Sequence, residues 1–274
     1  MTVNPRLERL LSHIAEAVLA RVPHAQPDAA ALARAKIVSH RGERDSEQVL
    51  ENTFAAFDPA VAAGVAAIEC DIRYTRDHEP VVVHDADLKR VFGLNTVIAD
   101  TRWERLQRVA PSVPHLDALL ERYAERTHLM IELKTRGSTH AEQRLADLLA
   151  PLTPVADFHI LSLEPELFAG VATLPAACYL PVAKLNHAAL HNWALTHDCA
   201  GLAGPYALMR TRHIRELAAR RDFVGSGFID APALLMREIG RGVEWIFSNH
   251  AVHLQKALDA ARGTAPANKR QAKT

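Results

Sequence analysis

The chain has 274 residues, of which 49% are apolar, and its 32 basic side chains equal its 32 acidic ones in number. A chain of this kind buries a sizeable core, and its balanced charge argues against binding to nucleic acid or to an anionic membrane, which both require a surplus of Lys and Arg. The three Cys are scattered, which suits a reducing compartment, and no stretch of about 18 apolar residues predicts a membrane span. We therefore expect a cytoplasmic globular protein.

The first residues predict a helical extension, which we assign to residues 1–35. Its apolar residues recur at spacings of three or four positions, as in an amphipathic helix: Leu7, Leu10, Leu11, Ile14 and Val18. The apolar stripe most simply covers the bottom of the domain that follows. The alternative is that it joins two subunits of a homodimer.

From residue 36 onward, short runs rich in Val and Ile alternate with helical stretches, which is typical of a parallel sheet. The eight runs are residues 36–40, 67–72, 128–133, 158–163, 177–182, 199–204, 222–228 and 243–248. The expected helices are residues 53–64, 115–126, 139–150, 164–171, 186–197, 210–220, 231–241 and 251–262, with Asp58-Pro59 interrupting the first. Eight such pairs in about 250 residues predict an α/β fold, a (β/α)8 TIM barrel over residues 36–264, with a disordered tail at 265–274.

A ninth run, residues 80–84, follows the second strand closely. The gap is too short for a parallel crossover, which needs a dozen residues or more. We expect a short antiparallel arm that folds back on the second strand around a turn near Asp77 and His78. This pairing sets His84 roughly opposite Asp71.

Polar side chains lie at the C-terminal ends of the predicted strands, where TIM barrels carry their active sites. The first strand ends in His40 and Arg41. On the second strand, side-chain alternation turns Glu69 and Asp71 inward, because the apolar residues beside them belong against the helices. Two carboxylates on one inward face repel each other unless a positive charge lies between them, which points to a divalent cation.

The third strand adds Glu132 and Lys134 at the same two-residue spacing. Three carboxylates with open positions suit a hard ion, with Mg²⁺ as the first candidate and Ca²⁺ or Mn²⁺ as alternatives. His40 and His84 would flank this metal, and Arg41 would be a second fixed cation. Such a set is suited to a phosphodiester, because the cations neutralise charge at phosphorus while one histidine removes a proton and the other supplies one.

The chain resembles the glycerophosphodiester phosphodiesterase family in the segments VSHRGERDSEQVLENTFAAF, GVAAIECDIRYTRDHEPVVVHDADLKR, VPHLDALL and LMIELKT. The resemblance implies a (β/α)8 barrel, a divalent metal, and cleavage of glycerophosphodiesters to an alcohol and sn-glycerol 3-phosphate. The family's functional positions fall on the catalytic His40 and His84, the metal ligands Glu69, Asp71 and Glu132, and the phosphate-binding Arg41 and Lys134. Asn52, in the ENT segment, is expected to support the ligands.

Departures from the family pattern leave the leaving-group alcohol open. Residues 225–230, GSGFID, and the pair Ser248-Asn249 replace the usual strand ends. The same constellation could act on lysophospholipids, as phospholipase D-like relatives do, and an apolar rim is expected from Phe92, Leu94 and Phe228. A further alternative is a barrel that binds a phosphodiester without cutting it.

Two other sets of side chains are open to functional interpretation. His187, His191 and His197 include a spacing that could bind zinc, but solvated positions on a helix are favoured. Cys70 lies between two proposed ligands yet points to the opposite face of its strand, so we expect it in the core rather than in the role of a nucleophile.

Overall fold

The structure is a computed structural model that describes residues 25–44, 48–220 and 222–264. Residues 1–24 of the expected helical extension and the tail expected at 265–274 lie outside the described residues. A short helix, Ala29–Arg34, precedes the first strand and begins at Asp28, whose side chain accepts a hydrogen bond from the Ala31 N–H.

Within the described residues, nine strands form one sheet. They are β1 Lys36–His40, β2 Ala67–Tyr74, β3 Pro80–Val82, β4 His128–Leu133, β5 Phe158–Ser162, β6 Tyr179–Pro181, β7 Gly201–Pro205, β8 Phe223–Gly227 and β9 Trp245–Ser248. Eight of them lie in the order β6-β5-β4-β2-β1-β9-β8-β7, with every pairing along this path parallel. A parallel bridge between Val182 and Ala203 joins the two ends of this order. The sheet is therefore a nearly closed barrel, and the (β/α)8 prediction is confirmed.

The connections between strands are mostly helical. The α-helices are Phe54–Ala62, Lys89–Phe92, Trp103–Val109, Leu116–Tyr123, Thr139–Leu149, His187–Thr196, Thr211–Arg220, Pro232–Arg241 and Ala251–Thr264. The stretch expected as a helix at 164–171 is a 3₁₀-helix, Pro165–Val171, followed by a second one, Ala176–Cys178. A 3₁₀-helix rises about 2.0 Å per residue, against about 1.5 Å in an α-helix, so this short connection spans its distance with fewer residues.

The helix Phe54–Ala62 runs through Pro59, so the interruption expected at Asp58-Pro59 is wrong. A proline removes one backbone hydrogen bond and crowds the preceding turn. Here the Thr53 side chain caps the helix by accepting a hydrogen bond from a backbone N–H, and Phe57 is fully buried on the face that packs against the barrel. Tertiary packing of this face outweighs the cost of the proline.

The arm is confirmed, with one difference in register. Strand β3 pairs antiparallel with β2 about a turn centred on Asp77. The Val83 N–H donates to the Asp71 carbonyl at 2.9 Å. Val83 therefore lies opposite Asp71, and His84 is the next residue along the chain. The centre of the turn is half a residue earlier in the sequence than a pairing of Asp71 with His84 requires.

The core has an outer and an inner layer. The outer layer, between strands and helices, contains Cys70 and Ile72, which are buried as their alternation predicted. The inner layer fills the barrel with side chains such as Met130 and Phe247. The site described below therefore lies on a packed interior rather than over a pore. Among the described residues, no helix is long and apolar enough to cross a membrane.

Candidate active site

The strand registers bring the predicted site residues to one end of the barrel. His40 is the last residue of β1 and lies opposite Glu69 of β2. Asp71, further along β2, lies opposite Glu132 of β4. Because all of these strands are parallel, their polar C-terminal positions meet at the same mouth of the barrel.

Three carboxylates form a buried cluster at this mouth. Glu69, Asp71 and Glu132 have oxygen atoms within 4.8 Å of one another, and the three residues are 1%, 0% and 6% exposed. Glu69 Oε1 and Asp71 Oδ1 are buried without a hydrogen-bond partner. Unpartnered buried carboxylate oxygens are costly, and such oxygens are the ligands that hard divalent ions prefer. The residues present therefore fit a divalent metal ion.

Two cations already lie among the carboxylates. Arg41 Nε is 3.0 Å from Asp71 Oδ2, and Lys134 Nζ is 3.0 Å from Asp71 Oδ1 and also contacts Glu132. The two contacts with Asp71 are close enough for ion pairs, but Arg41 Nε and Asp71 Oδ1 lack a hydrogen bond of good geometry. The contacts are therefore chiefly electrostatic, and three carboxylates face two fixed cations.

The charges shift the carboxyl groups in opposite directions. Burial, followed by the neighbouring Asp71 and Glu132, raises the pKa of Glu69 well above its ordinary value. Burial and Asp71 also raise the pKa of Glu132. Burial acts in the same direction on Asp71, but Arg41 and Lys134 outweigh it and hold the pKa of Asp71 low. The uncompensated negative charge of the site therefore falls chiefly on Glu69, which is where a proton or a metal ion would balance it.

His40 is buried at the end of β1. Burial, followed by the charges of Arg41 and Arg44, lowers its pKa well below the ordinary value. Its Nδ1 lies 2.8 Å from Asn249 Oδ1, and its Nε2 lies 3.8 Å from a carboxylate oxygen of Glu69. The imidazole is thus held through Nδ1, and Nε2 is directed toward the carboxylate cluster.

His84 lies just after the arm and is more open, with 31% of its side chain exposed. Its Nδ1 is 2.6 Å from Asp85 Oδ1. Asp85 is anchored in turn by Arg90, which also binds Glu51. Burial lowers the pKa of His84, while Asp71 and the hydrogen bond to Asp85 oppose that shift.

The loop after β1 supports the carboxylate cluster through unusual backbone geometry. Arg41 and Asn52 both have a left-handed φ of 59°, and Gly42 between them has a φ of 85°. Asn52 Nδ2 donates to Asp71 Oδ2 at 2.8 Å, and Asn52 Oδ1 accepts from the Asp71 backbone N–H at 3.3 Å. A Cβ on Gly42 would lie 2.5 Å from the Cβ of Ala56. A non-glycine residue in this backbone conformation is strained, and such strain is often found at functional sites.

A cavity of about 260 Å³ opens at this end of the barrel. Its polar side is formed by six of the predicted residues: His40, Arg41, Glu69, His84, Glu132 and Lys134. Its opposite side is largely apolar: Leu161, Leu163, Val182, Ala203, Pro205, Phe228 and Phe247. Lys184 also lines the cavity on this second side. The arrangement places a cluster of charged side chains against an apolar wall.

The expected apolar rim is only partly correct. Phe228 lines the cavity, is 47% exposed, and packs on the His40 ring with centroids 4.1 Å apart. Phe92 and Leu94 instead pack against a separate apolar cluster around Val81. Both residues follow the arm in the sequence and pack against its small apolar core. A pattern of apolar residues alone does not distinguish such a core from the rim of a cavity.

The histidines of the helix His187–Thr196 are not all solvated. His187 and His191 are buried, so the expectation of solvated positions is wrong for both, whereas His197 is exposed. Their rings stack against His213 of the next helix with nearly parallel planes. Ring nitrogen lone pairs lie in the ring planes, so stacked rings do not converge on one ion. The two residues face a neighbouring helix because the i, i+4 positions of this helix form its packed side.

The sequence interpretation gave no role in the site to the polar residues that support the two histidines. These residues are Arg44, Glu51, Asp85, Arg90, Asp230 and Asn249. Asn249 directly follows β9, so the strand-end signal that selected His40 could also have selected Asn249. Arg90 lies in the short helix Lys89–Phe92, and the remaining residues lie in loops, where sequence carries no comparable periodic signal.

Comparison with known proteins gives concordant results. Residues 40–162 match the profile of the Glycerophosphoryl diester phosphodiesterase family. A glycerophosphodiester phosphodiesterase of Bacillus altitudinis is 30% identical over 116 residues, which are 38% of this chain and 46% of that protein. A human lysophospholipase D is 40% identical over 87 residues, which are 32% of this chain and 26% of that protein. The chain spans about half the length of the curated Bacillus relatives that it matches.

Solved structures share the fold over most of the chain. The structure of a phosphodiesterase from Oleispira antarctica, in complex with the product sn-glycerol-3-phosphate, aligns with a TM-score of 0.70 and 20% identity. The alignment covers 84% of this chain and 99% of that one. The matched profile begins at His40 and includes every residue of the carboxylate cluster. Residues 40–162 of the chain are therefore similar to the glycerophosphoryl diester phosphodiesterase family, and the barrel fold is shared with solved members of that family.

Proposed function

We propose that this protein hydrolyses glycerophosphodiesters to an alcohol and sn-glycerol 3-phosphate with a divalent metal ion. The observation that carries the proposal is the meeting, at one cavity, of three buried carboxylates, two fixed cations and two histidines. The match of residues 40–162 to the family profile and the product held by the Oleispira antarctica phosphodiesterase support the same substrate class.

Glu69, Asp71 and Glu132 would hold the metal, because their oxygens lie close together and two of these oxygens lack a hydrogen-bond partner. An all-oxygen set favours Mg²⁺, with Ca²⁺ or Mn²⁺ as alternatives. When bound, the ion supplies Lewis-acid stabilisation of charge on the phosphoryl oxygens. Arg41 and Lys134 add fixed positive charge beside the same oxygens.

His40 and His84 would carry out proton transfer. Both line the cavity with Glu69 and Glu132. Burial lowers the pKa of both histidines, and at His84 the charge of Asp71 and the hydrogen bond to Asp85 oppose that shift. One histidine accepts the proton of the attacking hydroxyl, which belongs to the glycerol or to water, while the other protonates the leaving alkoxide. If a cyclic glycerol phosphate forms first, the two histidines exchange roles in the second half of the reaction.

The test is release of glycerol 3-phosphate from glycerophosphocholine and glycerophosphoethanolamine, measured with a coupled dehydrogenase. We expect release with Mg²⁺ and none with EDTA. Asp71→Asn should lower the rate by at least about 10²-fold, because it weakens both the metal site and the pairing with the cations. Asp100→Asn, at an exposed position, is the matched control and should leave the rate unchanged. Release that is indifferent to EDTA and to Asp71→Asn would contradict the proposal.

A second candidate function is the hydrolysis of lysophospholipids. It is favoured by the apolar wall, which includes Leu163 and Phe247 and could receive an acyl chain, and by the 91% exposed Leu185 close to it along the chain. The human relative named as a lysophospholipase D supports the same reading. Choline release from lysophosphatidylcholine at a rate comparable to that from glycerophosphocholine would establish this function. Tight binding of either compound without turnover would instead favour a non-catalytic phosphodiester-binding barrel.

A further inference from the structure

The imidazole of His40 is held from behind by a residue that follows the last strand of the barrel. Its Nδ1 lies 2.8 Å from Oδ1 of Asn249. A neutral histidine donates from one ring nitrogen and accepts at the other, so this contact decides which nitrogen carries the proton. The direction of the hydrogen bond depends on which way the Asn249 amide points.

The neighbours of Asn249 fix the orientation of its amide. Arg44 Nη2 lies 2.7 Å from Oδ1, and a guanidinium only donates hydrogen bonds, so this atom must be the amide oxygen. On the other side, Asp230 Oδ2 lies 3.5 Å from Nδ2, and Asp230 Oδ1 accepts from the Asn249 backbone N–H at 3.0 Å. A carboxylate only accepts, so the amide nitrogen must face Asp230. Reversal of the amide would set donor against donor and acceptor against acceptor.

The Arg44 side chain is itself held in place. Its Nη1 donates to the His40 carbonyl at 2.6 Å, and its Nε lies 3.5 Å from a carboxylate oxygen of Glu51. Since Asn249 Oδ1 can only accept, Nδ1 of His40 must donate to it. Nε2 of His40 therefore bears a lone pair. Nε2 lies 3.8 Å from a carboxylate oxygen of Glu69, which is beyond hydrogen-bonding distance. His40 lines the cavity.

The second histidine is supported differently. Nδ1 of His84 lies 2.6 Å from a carboxylate oxygen of Asp85, which Arg90 holds from the other side. A carboxylate behind an imidazole stabilises the doubly protonated ring, whereas a neutral amide gives no such charge stabilisation. The group that contacts Nδ1 is therefore an amide at His40 and a carboxylate at His84. This difference makes the two histidines suited to opposite starting roles.

We infer that Asn249 is a positioning residue that holds His40 in the Nδ1–H tautomer, so that His40 begins the reaction as proton acceptor and His84 begins it as proton donor. The catalytic part of this inference rests on the proposed function. As the new O–P bond forms, the attacking hydroxyl gives its proton to His40 Nε2. As the old P–O bond breaks, the leaving oxygen takes a proton from His84. With water as the attacking group, the step consumes one water and yields one alcohol and one phosphomonoester.

The tautomer is tested without any need for turnover. Long-range proton–nitrogen NMR spectra of protein labelled with nitrogen-15 in histidine distinguish Nδ1–H from Nε2–H rings, and the His40 signals are assigned by their loss in His40→Gln. We expect the Nδ1–H form in the wild type and in Asn249→Asp, since a carboxylate also accepts. We expect a shift toward the Nε2–H form, which free neutral histidine prefers in water, in Asn249→Leu. An Nε2–H ring in the wild type, or an unchanged ring in Asn249→Leu, would overturn the inference.

The catalytic consequence is tested by the kinetics of the same variants. Asn249→Leu should lower kcat about 10-fold with KM changed less than about two-fold, the scale of one lost orienting hydrogen bond. Asn249→Asp should recover most of that loss, and Asn192→Leu, at an exposed helix position, is the matched control. A shifted tautomer with unchanged kcat would refute the role in catalysis. No hydrolysis by the wild type would overturn the proposed function instead, and the spectrum would still decide the tautomer.

Discussion

Replacement of Glu69 by Gln is expected to stabilise the metal-free protein and to abolish its response to metal. Glu69 is 1% exposed, and its Oε1 has no hydrogen-bond partner. Burial, Asp71 and Glu132 raise its pKa, so the folded protein resists ionisation of a group that ionises freely in the unfolded chain. Gln carries no charge, and its amide can donate a hydrogen bond to a neighbouring carboxylate.

The size of the effect follows from this shift. Holding a carboxyl protonated at pH 7 costs about 1.4 kcal/mol for each pH unit above an unfolded pKa of about 4.3, which sets a ceiling of about 3.7 kcal/mol. Arg41 and Lys134 offset part of this cost. We therefore expect Glu69→Gln to add about 1–3 kcal/mol, or about 3–10 °C in Tm. Because the folded pKa is raised, the penalty is absent below about pH 4 and grows as the pH rises, and the gain from the substitution grows with it.

Thermal unfolding at pH 5 and pH 8, with EDTA or with Mg²⁺, measures both effects. A metal ion at 100 times its Kd stabilises a folded protein by about 2.7 kcal/mol, so the wild type should gain several degrees in Tm. Glu69→Gln should gain none, and Glu121→Gln, at an exposed helix position, should behave like the wild type. A lower Tm of Glu69→Gln in EDTA, or an undiminished shift with Mg²⁺, would refute the reasoning.

Three further changes have defined outcomes. His84→Ala should lower kcat by about 10²-fold, the scale of a lost general acid or base, and retention of half the wild-type rate in steady-state kinetics would contradict its role. His159 is buried and its pKa is lowered to about 3, chiefly by burial. Because the unfolded chain takes up this proton first, stability should fall by about 2 kcal/mol between pH 6.5 and pH 5, and urea titrations should show a flatter profile for His159→Leu. Gly42→Ala should lower the free energy of unfolding by about 1–3 kcal/mol more than Gly64→Ala in the same titrations. Both glycines have a left-handed backbone conformation, but only Gly42 is in close contact with its surroundings. Equal losses would refute the packing argument.

The sequence was informative where a periodic pattern and a strand end coincide. Strand alternation alone predicted that Glu69 and Asp71 face inward with Cys70 turned away, and this is the observed arrangement. The parallel order of the strands, predicted from alternation with helices, then determines that Glu132 lies beside Asp71. These features follow from backbone geometry, which is the same for any side chains that satisfy the pattern.

Other features depend on tertiary contacts that no local pattern reports. Pro59 is tolerated because it lies on the exposed side of a helix whose opposite face, which includes Phe57, is buried against the barrel. His187 and His191 are buried because another helix covers them, although histidine is commonly exposed. Asn249 reaches His40 across 209 positions of sequence, so their contact depends on closure of the barrel between β9 and β1.

The most direct test of the proposed function is to follow glycerophosphocholine by phosphorus NMR with purified protein and Mg²⁺. The wild type is expected to convert the diester signal to that of sn-glycerol 3-phosphate, and neither EDTA-treated protein nor Glu132→Gln should do so. A diester signal that stays unchanged with every divalent metal, in protein shown by thermal unfolding to be folded, would contradict the account.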